Sequence, residues 1–150
     1  MLEALCVIGE LGMNNEETLT GSCLCGQCRY SITSELKHFF QCHCLQCRKT
    51  TASAFAANII AVPSEIKWTS GEHNTTRFDY PGRGFTQVFC KTCGSGLPFL
   101  DKGGEMMFIP TGTLDNVPTI KPEANIFWGE RAEWYEHGLA APRQEGFDNT

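Results

Sequence analysis

Cys42, Cys44 and Cys47 are the residues whose type and spacing point most directly to chemistry. They lie within six residues in a C-x-C-x2-C arrangement, and Arg48 and Lys49 follow at once. Zinc binds thiolates in tetrahedral geometry, and cysteines at this spacing can wrap one ion from a single turn. Structural zinc sites have four protein ligands, whereas a catalytic site keeps one position for water or substrate. The number of ligands available to this triplet therefore decides its role.

Four more cysteines fall in two close pairs. Cys23 and Cys25 lie in a short loop, and Cys90 and Cys93 form a C-x2-C motif that is followed by Gly94. Glycine lets backbone amides turn toward thiolates at such a knuckle. The economical pairing joins these four residues in one closed site, which would contribute folding free energy on the order of 10 kcal/mol. The triplet is then left with an empty fourth position.

Two cysteines are predicted to bind no metal. Cys28 repeats the triplet's spacing relative to Cys23 and Cys25. However, it lies on the same apolar strand face as Tyr30 and Ile32, and the residues between them are polar, which predicts a small core residue. Cys6 has no partner at metal-binding spacing, so we expect an unligated thiol.

The alternative to a catalytic triplet is one whose metal has a fourth protein ligand and is therefore structural. His43 sits between two ligands, so its side chain should point away from their metal. Cys28 or one of the distant histidines, His38, His73 and His137, would instead complete the shell and make both zinc ions structural. The sequence leaves this alternative open.

Size, charge and cysteine usage limit the classes of protein to consider. With 150 residues and 41% hydrophobic content, the chain suits one domain with a buried core. A net charge of -5, which zinc-bound thiolates would make more negative, disfavours nucleic-acid binding. No apolar run approaches the about 20 residues of a membrane helix, and the first residues lack the basic region of a signal peptide. We expect a cytoplasmic protein, and nine cysteines at these spacings favour metal binding over disulfides.

The residues between the motifs predict a mainly β domain with short helical turns. Strands are expected at 28–33, 37–41, 54–62, 75–80, 85–89, 97–100, 105–109 and 125–128, with two hairpins joining 75–80 to 85–89 and 97–100 to 105–109. Short helices are expected at 45–51 and 131–137, a tight loop at 20–26 and a brief turn at 64–68. We expect an N-terminal extension over residues 1–17, one zinc-binding domain over 18–147 and a tail at 148–150.

An ordered series of motifs resembles the glutathione-dependent formaldehyde-activating enzyme family, which also includes centromere protein V. The resemblance runs from about residue 19 to residue 147. The matching segments are 21–26, 42–49, 53–56, 89–95, 112–115 and 126–127, with Arg131 and Trp134. Two positions depart from the family pattern: Ala52 stands where the family usually has glycine, and Cys28 where it commonly has an aliphatic residue.

The resemblance implies a fold, a metal content and a reaction. The fold is a β-tent of packed antiparallel sheets, stapled by zinc. Two zinc ions per chain are implied, a structural one on Cys23, Cys25, Cys90 and Cys93, and a catalytic one on Cys42, Cys44 and Cys47. The reaction is that of a carbon–sulfur lyase that forms or cleaves S-(hydroxymethyl)glutathione, with glutathione and formaldehyde as its small-molecule partners. A zinc-bound thiolate that attacks an aldehyde carbon would fit this chemistry.

Four residues near the motifs are candidates for substrate binding. Arg48 or Lys49 would offset the negative charge of the triplet or bind a glutathione carboxylate, and a solvated basic pair is the alternative. Trp128 and Arg131, together with Trp134, would line the pocket wall, and core packing is the alternative for the tryptophans.

Two other functions fit the same motifs. One is a non-catalytic interaction module stabilised by zinc, in which the triplet is closed or vestigial. Such a role on chromosomes would be expected to use a basic extension, whereas this chain is acidic. The other is the same lyase chemistry on a thiol other than glutathione. We expect no nucleic-acid or membrane partner, and the sequence predicts no oligomeric state.

Overall fold

A computed structural model describes residues 15–147 as a mainly β structure with few helices, as predicted. Cys6 and the predicted tail at 148–150 lie outside the described residues. The strands are β1 (Glu16–Ser22), β2 (Arg29–Cys42), β3 (Ala56–Ala61), β4 (Ile66–Ser70), β5 (Thr75–Asp79), β6 (Thr86–Cys90), β7 (Gly96–Leu97), β8 (Phe99–Leu100), β9 (Met107–Pro110) and β10 (Ala124–Ile126). The helices are α1 (Leu45–Thr51) and α2 (Tyr135–Leu139), and short 3-10 turns lie at Glu72–Asn74, Thr111–Thr113 and Trp128–Glu130.

Strand β2 organises the larger sheet because it pairs with four other strands. Its first half lies between β1 and β4, and its second half lies between β3 and β10. The sheet continues from β3 through β9 to β8. The sequence predicted two separate strands here, at 28–33 and 37–41. The structure has one 14-residue strand, because the pairing of β2 with β3 continues on both sides of a register shift between Leu36 and His38.

Strand β10 runs parallel to β2, unlike the antiparallel pairing that the family resemblance implied. Its register places Ile126 beside Cys42, where β2 ends. The strand stops at Ile126, two residues before the predicted end, because Phe127 has a positive φ and Trp128 starts a 3-10 turn. The end of β10 therefore lies next to the first cysteine of the triplet.

The smaller sheet has the order β5-β6-β7. Its β5–β6 hairpin confirms the pairing that the sequence predicted. The second predicted hairpin is confirmed in part: β8 pairs with β9, but Leu97 belongs to β7 and pairs with β6, so the predicted strand 97–100 is divided between the two sheets. Strand β6 ends at Cys90, which pairs with Thr75 on β5. The C-x2-C motif therefore begins at the end of a hairpin strand, as expected.

Buried apolar residues from both sheets form one core. Cys28 is fully buried among them, which confirms its predicted role as a small core residue. Its side chain points toward the carbonyl oxygen of Gly71, with 3.4 Å between sulfur and oxygen. The core strands contribute Leu19, Tyr30, Ile32, Ile59, Leu97, Met107 and Ile109.

Three local predictions were wrong. Much of the segment predicted as a turn at 64–68 belongs to β4, because Ile66 and Trp68 pair with the edge of β2, a contact that local sequence does not encode. Part of the loop predicted at 20–26 belongs to β1, which ends at Ser22 and begins at Glu16, inside the predicted N-terminal extension. The second helix begins only at Tyr135. No helix in residues 15–147 has the length and apolar character needed to span a membrane.

Candidate metal centres and the adjoining cleft

Cys23, Cys25, Cys90 and Cys93 form a compact cluster of four thiols. All four sulfur atoms lie within 4.8 Å of one another. The Cys25 sulfur lies 3.5 Å from that of Cys23 and 3.8 Å from that of Cys90. Four thiolates at the zinc–sulfur distance of about 2.3 Å in a tetrahedron would be separated by about 3.8 Å. The cluster therefore fits a tetrahedral metal ion of the zinc type.

The ends of β1 and β6 bring the two halves of this four-thiol cluster together. The backbone N–H of Leu24 donates to Oγ of Ser95 at 3.0 Å, which holds the first loop against the second. Gly94 has a φ of 76°, a conformation that glycine adopts without strain, and its N–H donates to the carbonyl of Cys90 at 2.8 Å. The backbone N–H of Cys28 donates to the Cys23 sulfur at 3.2 Å. Backbone and side-chain hydrogen bonds therefore hold the two cysteine pairs in place.

The triplet forms a second, separate cluster. Cys42 ends β2, Cys44 is the N-cap of α1, and Cys47 lies in the first turn of that helix. Their sulfur atoms lie within 4.8 Å of one another, and the N–H of Cys47 donates to the Cys44 sulfur at 3.4 Å. Across residues 15–147, no histidine, acidic residue or fourth cysteine joins this group. The donor set is therefore three soft thiols, which suits zinc with one position left for another ligand.

His43 points away from the triplet, as its position between two of the cysteines predicted. Its ring is fully buried, and Nε2 lies 2.9 Å from Oδ1 of Asn125 on β10. Aromatic rings of Phe55, Trp128 and Tyr135 surround it at centroid distances of 4.8 to 5.3 Å. His43 is therefore part of the packing behind the triplet.

The other histidines are also engaged elsewhere or exposed. His38 pairs with Glu123 at 2.8 Å, and His73 and His137 are exposed. Cys28, the remaining candidate for a fourth ligand, is buried in the core beside the four-thiol cluster. These placements leave the triplet open within the described part of the chain.

A cleft of about 970 Å³ adjoins the triplet and not the four-thiol cluster. All three cysteines of the triplet line it, whereas Cys23, Cys25, Cys90 and Cys93 do not. The segment from Gly94 to Gly96, which follows the C-x2-C motif, forms part of its wall. The four-thiol cluster therefore supports the cleft from outside, while the triplet faces into it.

Hydrogen bonds shift the pKa values of individual thiols in both clusters. The hydrogen bond from Cys47 lowers the pKa of Cys42 to about 6, and the same bond raises the pKa of Cys47. The hydroxyl of Ser95 lowers the pKa of Cys93 to about 5. Burial instead raises the pKa of Cys28 to about 12. Each cluster thus stabilises at least one thiolate, whereas Cys28 stays a protonated core thiol at neutral pH.

The four predicted substrate residues lie beside the cleft lining rather than in it. The Arg48 guanidinium donates to the carbonyl of Glu130 at 2.9 Å, and Lys49 is exposed. The Arg131 guanidinium lies over the Trp128 ring at 4.5 Å from its centroid. Trp128 is also the ring that packs edge-on against His43.

Other residues line the cleft that the sequence did not mark as substrate residues. Phe127, Glu130 and Arg83 all belong to the lining. Phe127 directly precedes Trp128, so the predicted aromatic lining residue was misplaced by one position in the sequence. Arg83 lies in the turn between β5 and β6, far from the cysteine motifs in sequence, and no local signal links it to them.

The fold and the two clusters define a mainly β protein with two cysteine-rich sites that could hold metal ions. The profile of the family described as "Glutathione-dependent formaldehyde-activating enzyme" matches residues 18–130. The chain belongs to this family, as its motifs indicated. The family description connects it with an enzyme-type function that involves glutathione and formaldehyde.

Two further comparisons bear on the fold and on relatives. The chain is similar to a crystal structure of a Rhodobacter sphaeroides protein from a structural genomics programme, with a TM-score of 0.54 and 22% sequence identity. The similarity covers 71% of this chain and 99% of that one, and at this identity it supports the fold alone. A comparison with curated proteins finds no match.

Proposed function

We propose that this protein is a zinc-dependent carbon–sulfur lyase that interconverts S-(hydroxymethyl)glutathione with glutathione and formaldehyde. In this proposal its two sheets are the family's β-tent. One zinc ion is held by Cys23, Cys25, Cys90 and Cys93 as a structural clip, and a second by Cys42, Cys44 and Cys47. The reaction takes place in the cytoplasm, where thiols are kept reduced.

The observation that carries the proposal is the contrast between the two cysteine clusters. The four thiols that do not line the cleft are the ligand set of a closed, structural site. Three thiols that face a cleft, with no fourth protein ligand among the described residues, are the ligand set of an open site. Membership of the formaldehyde-activating family supplies the reaction type that such an open thiolate-rich site suits.

The net reaction is balanced without any other reactant. A bond forms between the thiol sulfur and the aldehyde carbon, the carbonyl π bond breaks, and the thiol proton ends on the former carbonyl oxygen. A zinc ion, when bound, lowers the pKa of a coordinated thiol enough to keep the reacting sulfur ionised at neutral pH. The protein's task is then to hold the ion and to place the adduct beside it.

The chain's own residues perform that task through fixed contacts. The end of β2 and the first turn of α1 hold Cys42, Cys44 and Cys47 together. The hydrogen bond of His43 to Asn125 anchors the segment between the first two ligands. Arg48 remains the predicted partner of a substrate carboxylate, and its bond to the Glu130 carbonyl places it next to a residue of the cleft wall. Trp128 and Arg131 contact each other next to Phe127 and Glu130, which line the cleft.

Exchange spectroscopy by NMR tests the proposal. Glutathione and formaldehyde exchange with their adduct without a catalyst, so the measurement compares the exchange rate with and without micromolar protein. We expect the zinc-loaded protein to accelerate the exchange and Cys44→Ser to abolish the acceleration while the fold survives. A zinc-loaded, folded protein that leaves the rate unchanged would refute the reaction and favour the non-catalytic interaction module.

A further inference from the structure

Phe127 combines backbone strain with exposure at the cleft. Its φ of 53° and ψ of 42° place it in the left-handed region, which a bulky side chain rarely adopts. Its side chain is 60% exposed, yet it lines the same cleft as the triplet. An exposed phenylalanine gains little stability from its position, so the core does not explain this conformation.

The surrounding contacts hold Phe127 in this conformation from both sides. On one side, the carbonyl of Ile126 accepts a hydrogen bond at 3.0 Å from the N–H of His43, between two triplet cysteines. On the other side, the Phe127 carbonyl accepts from the N–H of Glu130 at 3.0 Å, which closes a 3-10 turn. Strain that neighbouring structure maintains in this way is typical of ligand-contacting residues. The same hydrogen bonds therefore link the placement of Phe127 to the triplet.

The lining of the cleft is richer in aromatic rings than a one-carbon aldehyde requires. Six of its described residues are phenylalanines, and three are charged, namely Arg83, Asp101 and Glu130. Formaldehyde offers a single CH2 unit to this surface. A cleft of about 970 Å³ beside the triplet has room for the adduct of a larger aldehyde, and burying its apolar group against aromatic rings would be favourable.

We propose that this cleft takes thiol adducts of aldehydes that carry an apolar alkyl or aryl group, and that Phe127 contacts that group. The inference rests on the proposed function, because it names the substrate class of the same site. The chemistry is unchanged: the thiol sulfur bonds to the aldehyde carbon, and the thiol proton ends on the aldehyde oxygen. The apolar group of the adduct lies against the exposed face of Phe127.

A binding measurement that needs no turnover tests the inference. Isothermal titration calorimetry compares S-hexylglutathione with S-methylglutathione, two thioethers that share the peptide and differ in the apolar group. We expect the zinc-loaded wild-type protein to bind the hexyl compound at least about tenfold more tightly, as methylene groups in an apolar pocket contribute this much or more. Phe127→Ala should reduce the preference to less than about threefold, and Phe127→Leu should restore most of it.

Phe78→Ala is the matched control, because Phe78 is 43% exposed and does not line the cleft. It should leave the hexyl preference unchanged. Equal affinity of the wild-type protein for the two thioethers would overturn the inference, and so would a preference that persists in a folded Phe127→Ala variant.

The two proposals fail in different measurements. Acceleration of formaldehyde exchange without a hexyl preference would overturn the substrate class and leave the lyase reaction standing. A hexyl preference in a protein that does not accelerate formaldehyde exchange would support the apolar substrate class and refute formaldehyde as the reactant. Exchange measurements with butanal and benzaldehyde would then be expected to show the acceleration that formaldehyde does not.

Discussion

Nε2 of His43 lies 2.9 Å from Oδ1 of Asn125, which ties the residue between two candidate metal ligands to a strand from the far end of the domain. Because the amide oxygen is the acceptor, Nε2 carries the proton, and the buried Nδ1 has no hydrogen-bond partner. The backbone N–H of His43 also donates to Ile126 at 3.0 Å. Strand β10 therefore fixes His43 through its backbone and its side chain together.

Removal of this bond should weaken the triplet site in particular. Asn125→Ala leaves a buried Nε2–H without a partner, so we expect the free energy of unfolding to fall by about 1–3 kcal/mol. The segment between Cys42 and Cys44 loses its side-chain anchor, and zinc affinity at the triplet should fall about tenfold, as it does when outer contacts of metal sites are removed. Denaturant unfolding and competition with a chelator measure the two effects.

Asn116→Ala is the control for this change. Asn116 accepts from the N–H of Thr20 and donates to the carbonyl of Thr18, so it also joins distant segments, but its hydrogen bonds are exposed and are made with β1. Zinc release from the triplet should match the wild-type protein in Asn116→Ala. Equal zinc release from Asn125→Ala and the wild-type protein would show that the His43–Asn125 bond does not position the ligands.

Gly21 is required by close packing rather than by backbone conformation. A Cβ atom at this position would overlap the Tyr30 ring and lie 2.7 Å from the carbonyl oxygen of Thr113, and Tyr30 is itself fixed by a 2.9 Å hydrogen bond to Thr113. Gly21→Ala should therefore lower the free energy of unfolding by about 1–3 kcal/mol. Gly129→Ala meets no atom within 4 Å and should change stability far less. Thermal denaturation of both variants checks the difference, and equal midpoints would contradict this packing argument.

Ala52, which the resemblance marked as a position where glycine is expected, has a backbone conformation that favours glycine. It ends α1 with a φ of 51° and a ψ of 37°, a left-handed cap that favours glycine, and its N–H donates to the carbonyl of Arg48. Ala52→Gly should therefore stabilise the protein by about 0.5–1 kcal/mol, since relief of the strain exceeds the entropy that glycine adds to the unfolded chain.

Ala140→Gly is the matched control for this prediction. Ala140 ends α2 with a φ of -90°, where alanine is unstrained. Glycine at this position should destabilise the protein slightly, because only the unfolded chain gains freedom. Denaturant midpoints that move in opposite directions for the two variants would support the account, and a loss of stability in Ala52→Gly would refute it.

The sequence predicted the parts of the structure that local chemistry determines. Cysteine spacing divided the thiols into the two clusters that the structure brings together, because ligands on one turn must be close in sequence. The alternation around Cys28 placed it in the core, and the turn residues between β5 and β6 predicted their hairpin.

Contacts between distant segments were not predictable in this way. Ile66 lies in a strand because it pairs with an edge of β2, and β10 pairs in parallel with β2 only after residues 43–123 have intervened. The cleft depends on such contacts: Phe127 and Arg83 both line it, although they lie in distant segments that share no sequence motif. Sequence spacing therefore predicted the two cysteine clusters well and the residues that line the cleft poorly.

Cysteine substitutions should separate the structural role of one cluster from the open site of the other. Cys90 is fully buried, and its sulfur accepts a hydrogen bond from Asn74 at 3.4 Å. Cys90→Ser should therefore remove both a core residue and a ligand of the proposed structural zinc site. We expect that variant to lose cooperative unfolding, because binding at a closed zinc site is folding free energy. Cys44→Ser should keep the fold and retain one zinc ion per chain, whereas we expect the wild-type protein to hold two.

Elemental analysis and circular dichroism of the purified variants check these outcomes together. Cys28→Ser is the control: Cys28 is as buried as Cys90 but belongs to neither cluster, so the variant should lose some stability and keep both zinc ions. Wild-type protein that holds one zinc ion, or a Cys44→Ser variant that still holds two, would contradict the assignment of a second ion to the triplet. A Cys90→Ser variant that stays folded and loses only one ion would show that the four-thiol cluster is not needed for the fold.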